Sequence, residues 1–191
     1  MKVVLASSSP RRKEILQQIG CSFTVVASQV EEDNRLEVAP CQLVILHAKS
    51  KALAARDKVD SDTVIIGADT VVVFAGQVFG KPSGVQEAKQ MLMALSGRQH
   101  EVITGVAVVK CSTGEMWTDY SVTQVKFSVL SESEIDCYIA SGEPMDKAGA
   151  YGIQGRGSLL VESINGCYFN VVGLPVSKLY GILKKAGVFL V

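Results

Sequence analysis

The chain has 191 residues, 48% of them hydrophobic, with 19 basic and 19 acidic side chains. That is enough for one domain or two small lobes around a sizeable core, and it excludes a disordered chain. A formal net charge of zero lacks the basic footprint of a general nucleic-acid coat, no apolar run reaches the length of a membrane span, and the N-terminus turns polar at Ser7, too early for a secretory leader.

Residues 2–6 read as a first strand. Ser7-Ser8-Ser9-Pro10-Arg11-Arg12 follows, and the spacing of Ile15, Leu16 and Ile19 predicts a helix over 13–19. Ser9 suits its N-cap, Pro10 its first position and Gly20 the residue beyond its end. A strand therefore enters a hydroxyl-rich turn that opens a helix. Its N–H groups, hydroxyls and two guanidinium groups suit an anion; an ordinary cap followed by solvated arginines uses the same residues.

Residues 23–27 read as a second short strand. Glu31-Glu32-Asp33 is either a solvated acidic loop or the source of a second carboxylate on a cation. Residues 40–56 read as a helix with an apolar stripe of Leu43, Leu46, Ala48, Ala52 and Leu53. Lys49, Lys51 and Arg56 lie along it, either on a solvated face or with one lysine aimed at a site.

Val64-Ile65-Ile66-Gly67-Ala68-Asp69-Thr70 reads as a buried strand that carries a carboxylate. Such a group is costly to bury unless a cation or metal pairs with it, and Gly67 and Ala68 let a ligand approach the backbone. The alternative is an Asp that caps a turn at the strand end. Val71-Val72-Val73-Phe74 continues the apolar run, and Ala75-Gly76 predicts a hairpin turn. Gly80-Lys81-Pro82 is not a P-loop, since its spacing and Pro82 are wrong for one, although Lys81 suits a phosphate as a point charge.

Residues 85–95 read as an amphipathic helix ended by Ser96-Gly97. Residues 100–110 and 116–129 read as an antiparallel pair of strands with one buried face. Ser131 and Glu134 stand at capping-box spacing, which predicts a helix to about residue 140. Residues 142–157 read as a long glycine-rich loop, of the kind that is often functional. Residues 159–163 and 167–172 read as a hairpin across Asn165-Gly166, and residues 175–186 as a closing helix.

The five cysteines, Cys21, Cys41, Cys111, Cys137 and Cys167, are odd in number and widely spaced. They fit neither a disulfide framework nor a zinc site, and read as reduced, small apolar residues of a cytosolic protein. With only His47 and His100 in the chain, a metal would be held by carboxylates, which suits a hard cation such as magnesium.

Three stretches resemble the Maf family of nucleoside triphosphate pyrophosphatases. They are Leu5-Ala6-Ser7-Ser8-Ser9-Pro10-Arg11-Arg12, Gly67-Ala68-Asp69-Thr70, and Glu143-Pro144-Met145-Asp146-Lys147-Ala148-Gly149-Ala150-Tyr151-Gly152-Ile153-Gln154-Gly155. Gly80-Lys81-Pro82 and Val172-Gly173-Leu174-Pro175 add to the match, which runs from Leu5 to the final helix. The resemblance implies an α/β fold like that of the Maf and inosine-triphosphatase proteins. That fold is a mixed, elongated, twisted sheet with flanking helices, in a single domain spanning residues 1–191 with two lobes around a central cleft.

The resemblance also implies hydrolysis of a nucleoside triphosphate to the monophosphate and pyrophosphate, with a divalent cation, Mg2+ or Mn2+. Asp69 corresponds to the family's proton acceptor. Ser7, Arg12, Lys51 and Lys81 correspond to triphosphate contacts, and Glu32 joins Asp69 at the metal. The branch acting on dTTP and UTP has Arg, Thr and Gln at three specificity positions, here Arg11, Thr70 and Gln154. The branch acting on 7-methyl-GTP has Trp, Gln and Glu there. Modified pyrimidine nucleotides are further candidate substrates. The expected protein is a cytoplasmic homodimer without nucleic-acid or membrane partners. The competing expectation is a non-catalytic nucleotide-binding regulator of cell division; a pure binder has no use for a carboxylate beside a triphosphate unless a metal neutralises it.

Overall fold

A computed structural model describes residues 1–28, 30, 33–34 and 36–191. The elements alternate as the apolar periods demand. Strand β1 (Lys2–Leu5) leads into helix α1 (Pro10–Gln18), then β2 (Thr24–Val25), α2 (Pro40–Ala54), β3 (Thr63–Phe74) and β4 (Gln77–Phe79). Helix α3 (Val85–Leu95), the long strands β5 (Gln99–Lys110) and β6 (Met116–Phe127), α4 (Glu132–Ala140), β7 (Val161–Asn165), α5 (Tyr168–Val172) and α6 (Val176–Ala186) complete the chain. The strands form one seven-stranded mixed sheet in the order β2-β1-β3-β5-β6-β7, with β4 paired to β3. β1 runs parallel to β2 and β3, whereas β3–β4 and β6–β7 are antiparallel.

The chain folds into two compact units. The first comprises Met1–Asp69, Thr104–Ser121 and Gly173–Val191; the second comprises Thr70–Ile103 and Val122–Val172.

In the first unit, α2 lies on the strands through small side chains. Ala48, Ala52 and Ala55 pack with Val4, Ala6, Ile65, Ala107 and Val109. The approach is close enough to require glycine on the sheet side. A Cβ at Gly67 would lie 2.1 Å from the Ala48 carbonyl oxygen, and one at Gly105 would lie 2.6 Å from the Val44 backbone. The buried face of α2 therefore comprises Leu43, Val44, His47, Ala48, Lys51 and Ala52. The expected stripe is rotated: Leu46 and Leu53 are exposed, and two polar side chains take their place inside.

In the second unit, α3 and α4 supply Ala88, Leu92, Leu95, Ile135 and Tyr138 to a core with Val72, Val125, Phe127 and Tyr151. His100 stacks edge-on with Phe127 and Tyr151 and bonds the Tyr151 hydroxyl at 2.7 Å. Burial pushes the His100 imidazole down to about 4, so it stays neutral.

Several expected features are present. Phe74 pairs with Gln77 across the two-residue turn, where Ala75 and Gly76 both take positive φ. The Ser131–Glu134 capping box forms at α4, with the Glu134 N–H donating to the Ser131 hydroxyl. The closing helix α6 forms over Val176–Ala186.

Other expectations are corrected. The second strand shrinks to Thr24–Val25. The 142–157 segment is not structureless, since 3-10 turns cover Glu143–Asp146 and Ala148–Ala150, and a third begins at Gly155. No hairpin forms across Asn165-Gly166. β7 pairs instead with β6, with Gln124 opposite Asn165, and residues 168–172 are helical. The competing partner is Thr123. Its hydroxyl accepts from the Cys167 N–H at 3.0 Å and donates to the Cys167 carbonyl at 3.1 Å, while Asn170 Nδ2 bonds both that hydroxyl and the Val102 carbonyl. These bonds hold the chain after Gly166 against β6 in a helical turn. All five cysteines are free, as expected; Cys21 is buried and Cys137 is exposed.

The same substitution should have opposite signs at two glycines. Gly67→Ala forces the Ala48 backbone aside and should cost about 1–3 kcal/mol, lowering Tm by several degrees. Gly181→Ala meets nothing within 4 Å in helix α6 and should stabilise by about 1 kcal/mol. Scanning calorimetry on both variants checks this; an unchanged Tm for Gly67→Ala would show that α2 has room to move.

Candidate active site

Asp69 stands inside β3 and is 3% exposed, so it does not cap a strand end. Both of its carboxylate oxygens are held by α2. Lys51 Nζ donates to Oδ1 at 2.6 Å and reaches the Ala68 carbonyl at 3.4 Å. His47 Nδ1 meets Oδ2 at 3.0 Å. Residues 47 and 51 are one helical turn apart and share a face. The alanine and glycine contacts described above bring that face onto β3.

The electrostatics follow from these neighbours. Burial alone would raise the Asp69 carboxyl. The His47 hydrogen bond, the Lys51 ammonium and the Arg12 guanidinium overcome it and hold the group down at about 2. Asp69 is therefore an anion at any ordinary pH, and Lys51 is its buried counter-ion.

The turn after β1 is built around Arg12. Its Nε donates to the Gly173 carbonyl at 2.8 Å and its Nη1 to the Ser7 hydroxyl at 3.2 Å. The Ser9 N–H also donates to that hydroxyl at 3.2 Å. Ser9 precedes Pro10 at the helix start but makes no side-chain cap; Ser7 collects the donors instead. Ser7 and Arg12 are buried, and Arg11 is half-buried. The first unit thus joins an anion, two cations, a hydroxyl and a helix N-terminus, a set that suits a phosphate-bearing ligand.

Residues 2–186 match the family model described as Maf-like protein. The chain belongs to the Maf-like family. It is 49% identical over 184 residues to a protein named dTTP/UTP pyrophosphatase from Bacillus cereus (strain ATCC 10987 / NRS 248), covering 96% of this chain and 89% of that one. A protein of the same name from Alkaliphilus oremlandii (strain OhILAs) is 49% identical over 184 residues, covering 96% and 95%. In fold, the chain is similar to a HAM1 protein from Coxiella burnetii, with a TM-score of 0.51, 14% identity and coverage of 97% and 99%.

Of the residues singled out from the sequence of this Maf-like chain, Ser7, Arg11, Arg12, Lys51 and Asp69 stand in the first unit. Thr70, Lys81 and Gln154 stand in the second. Thr70 is half-buried on β3, Lys81 is exposed after β4, and Gln154 is exposed before the 3-10 turn Gly155–Leu160. The backbone beside Lys81 is tied to the glycine-rich segment, since the Gly149 N–H donates to the Gly80 carbonyl at 3.0 Å. Glu143 secures the stretch after Gln154, its carboxylate accepting from the N–H groups of Arg156 at 3.2 Å and Gly157 at 3.4 Å. The Gly152 N–H donates to the Tyr138 hydroxyl at 3.3 Å. Glu32 lies outside the described residues.

Sequence reasoning missed His47 as a partner of Asp69. Its place four residues before Lys51 puts the two on one helical face, but that spacing does not say that the face meets Asp69. Among the described residues, no group of three or more His, Cys, Asp or Glu side chains is gathered in a way that could hold a metal. No helix among them is long and apolar enough to cross a membrane.

The depressed Asp69 carboxyl predicts a pH dependence. Between about 2 and 3.8 the unfolded chain binds the proton and the folded chain does not, so Asp69 adds stability above that window and loses it as pH falls through it. Asp69→Asn is neutral throughout. The stability gap between parent and variant in urea unfolding should change below about pH 4 as the parent loses the contribution. A gap unchanged down to the acid end would show that the carboxylate is not specially held.

Proposed function

We propose that this chain hydrolyses dTTP and UTP to the monophosphate and pyrophosphate, with modified pyrimidine nucleotides as further substrates. The observation that carries this reading is the buried Asp69 anion between Lys51 and His47, in a chain that shares nearly half its residues with proteins named dTTP/UTP pyrophosphatase. The reading also takes the protein to be a cytoplasmic homodimer.

Water adds across the α–β anhydride bond. Its oxygen joins phosphorus, the bridging bond breaks, and pyrophosphate leaves with the electron pair. Asp69 takes the proton from the attacking water. A carboxyl held at about 2 is a weak base by itself. A bound polyanion beside Lys51 and Arg12 offsets the positive charge that depresses it, and so raises its affinity for the proton. Ser7, Arg12, Lys51 and Lys81 hold the phosphate oxygens, so catalysis is largely positioning and charge stabilisation.

The donor set fits a hard cation. Oδ1 of Asp69 takes the Lys51 ammonium and Oδ2 the His47 ring, each oxygen keeps lone-pair capacity, and magnesium is commonly held by one or two carboxylates plus substrate phosphates. Asp69 and Glu32 would hold Mg2+ or Mn2+. Such an ion supplies charge neutralisation at the phosphate oxygens when bound.

Arg11, Thr70 and Gln154 set the base preference. Uracil and thymine present an acceptor, a donor and an acceptor along one edge, and the Gln154 amide offers both a donor and an acceptor to it. Thr70 orients the ribose or base through its hydroxyl. Arg11 donates to a carbonyl or to the sugar–phosphate side. Cytosine lacks the ring N–H and leaves a group unpaired, which hydrogen-bonding sites penalise strongly.

Incubation with dTTP and magnesium, resolved by phosphorus NMR, should yield dTMP and pyrophosphate. Orthophosphate with dTDP as the only products would refute the reaction. Asp69→Asn should lower kcat by at least about 100-fold while the chain stays folded; turnover within a few-fold of the parent would make Asp69 structural.

For base choice, kcat/KM should favour dTTP and UTP over CTP and GTP by at least about tenfold. Gln154→Glu should weaken dTTP use, because a carboxylate has lost the donor. Equal use of UTP and CTP by the parent would remove these residues from the choice of base.

A further inference from the structure

His47 touches Asp69 but has no part in the mechanism above. We infer that His47 is a positioning residue whose Nδ1–H fixes the Oδ2 edge of the Asp69 carboxylate while Lys51 engages the triphosphate. This rests on the hydrolysis proposed above and adds a residue to it.

Asp69 Oδ1 accepts from the Lys51 ammonium at 2.6 Å, and a carboxylate so paired acts as an acceptor at its other oxygen too. The 3.0 Å contact therefore requires a proton on His47 Nδ1, which in the neutral ring selects the Nδ1–H tautomer. The terminal torsion of an Asp is broad and two-fold when free. Here two donors, one helical turn apart on α2, each take one oxygen, and together they fix the plane of the carboxylate.

The two donors differ in how firmly they are held. Lys51 presents a point charge on a flexible four-carbon stem, and phosphate oxygens compete for its three N–H groups. His47 is a ring with two side-chain torsions, 5% exposed, on a face that apart from Lys51 is occupied by Leu43, Val44, Ala48 and Ala52. Its N–H stays on Oδ2 when the charge of Lys51 is shared with substrate. Packing on such an apolar face would be served by leucine, and burying an imidazole there costs free energy unless it is hydrogen-bonded.

The test compares three variants of the full chain with dTTP and magnesium. His47→Asn places an amide N–H where Nδ1 stands. His47→Gln reaches the position of Nε2 instead, and His47→Leu removes the donor. The Leu and Gln variants should lose about 10- to 100-fold in kcat, as removal of a group that orients a reacting ligand does. KM for dTTP should stay within about threefold, because ground-state binding is untouched, and His47→Asn should recover most of kcat. Equal kcat in the Asn and Gln variants would overturn the inference, and so would a Leu variant within about twofold of the parent. If the Leu variant does not fold, the Asn–Gln comparison decides.

Nitrogen NMR of the parent imidazole at mildly alkaline pH gives a reading independent of activity. The Nδ1–H tautomer is expected. The two failures separate: no pyrophosphate release with the Nδ1–H tautomer present overturns the activity, whereas pyrophosphate release with the Nε2–H tautomer overturns the role of His47.

Discussion

A single buried negative charge constrains the first unit. Removing a carboxylate from water costs several kcal/mol even after the protein relaxes, so Asp69 is tolerated only with donors on both oxygens. Both donors come from α2, at residues 47 and 51. The helix must then lie close enough to β3 for two side chains of different length to reach one group. Ala48 and Ala52 on the helix, with Gly67 and Gly105 on the strands, are the steric consequence. The small-residue packing and the buried ion pair are thus parts of one arrangement.

The same unit concentrates positive charge that the composition hides. Nineteen basic and nineteen acidic residues cancel over the chain, yet Arg12 and Lys51 are both buried, and Arg12 contributes to the field on Asp69. Arg12 is held by Ser7 on one side and the Gly173 carbonyl on the other. Its fork is therefore oriented before any ligand arrives, which lowers the entropy cost of binding an anion. Net charge bounds long-range steering; it does not bear on what a particular pair of buried cations does at short range.

The second unit solves a different problem, that of holding a glycine-rich segment in one shape. Such a chain has much backbone entropy to lose. It is ordered by hydrogen bonds to side chains on more regular elements: Tyr138 of α4 receives the Gly152 N–H, and Glu143 receives two N–H groups just past Gln154. A Cβ at Gly149 would meet Val72, and Ala150 holds a φ of 59° that only glycine adopts freely. The segment is tightly fitted, despite its composition.

The sequence by itself determined the elements whose signals are local. The capping box at Ser131, the turn at Ala75-Gly76, the helix with Pro10 in its first turn and the buried run around Asp69 are all readable because each depends on residues within a few positions of one another. The identity of the site motifs was legible for the same reason. Tertiary structure decided the rest. Whether Asn165-Gly166 turned a hairpin depended on Thr123, some forty residues away, which captured Cys167 and Asn170. Which face of α2 turned inward depended on Asp69, because a buried anion outweighs the apolar count that favoured Leu46 and Leu53. His47 could be placed only after that rotation was known. Hydrogen bonds between residues distant in sequence leave no periodic trace, so only the folded chain could show that this histidine meets the carboxylate.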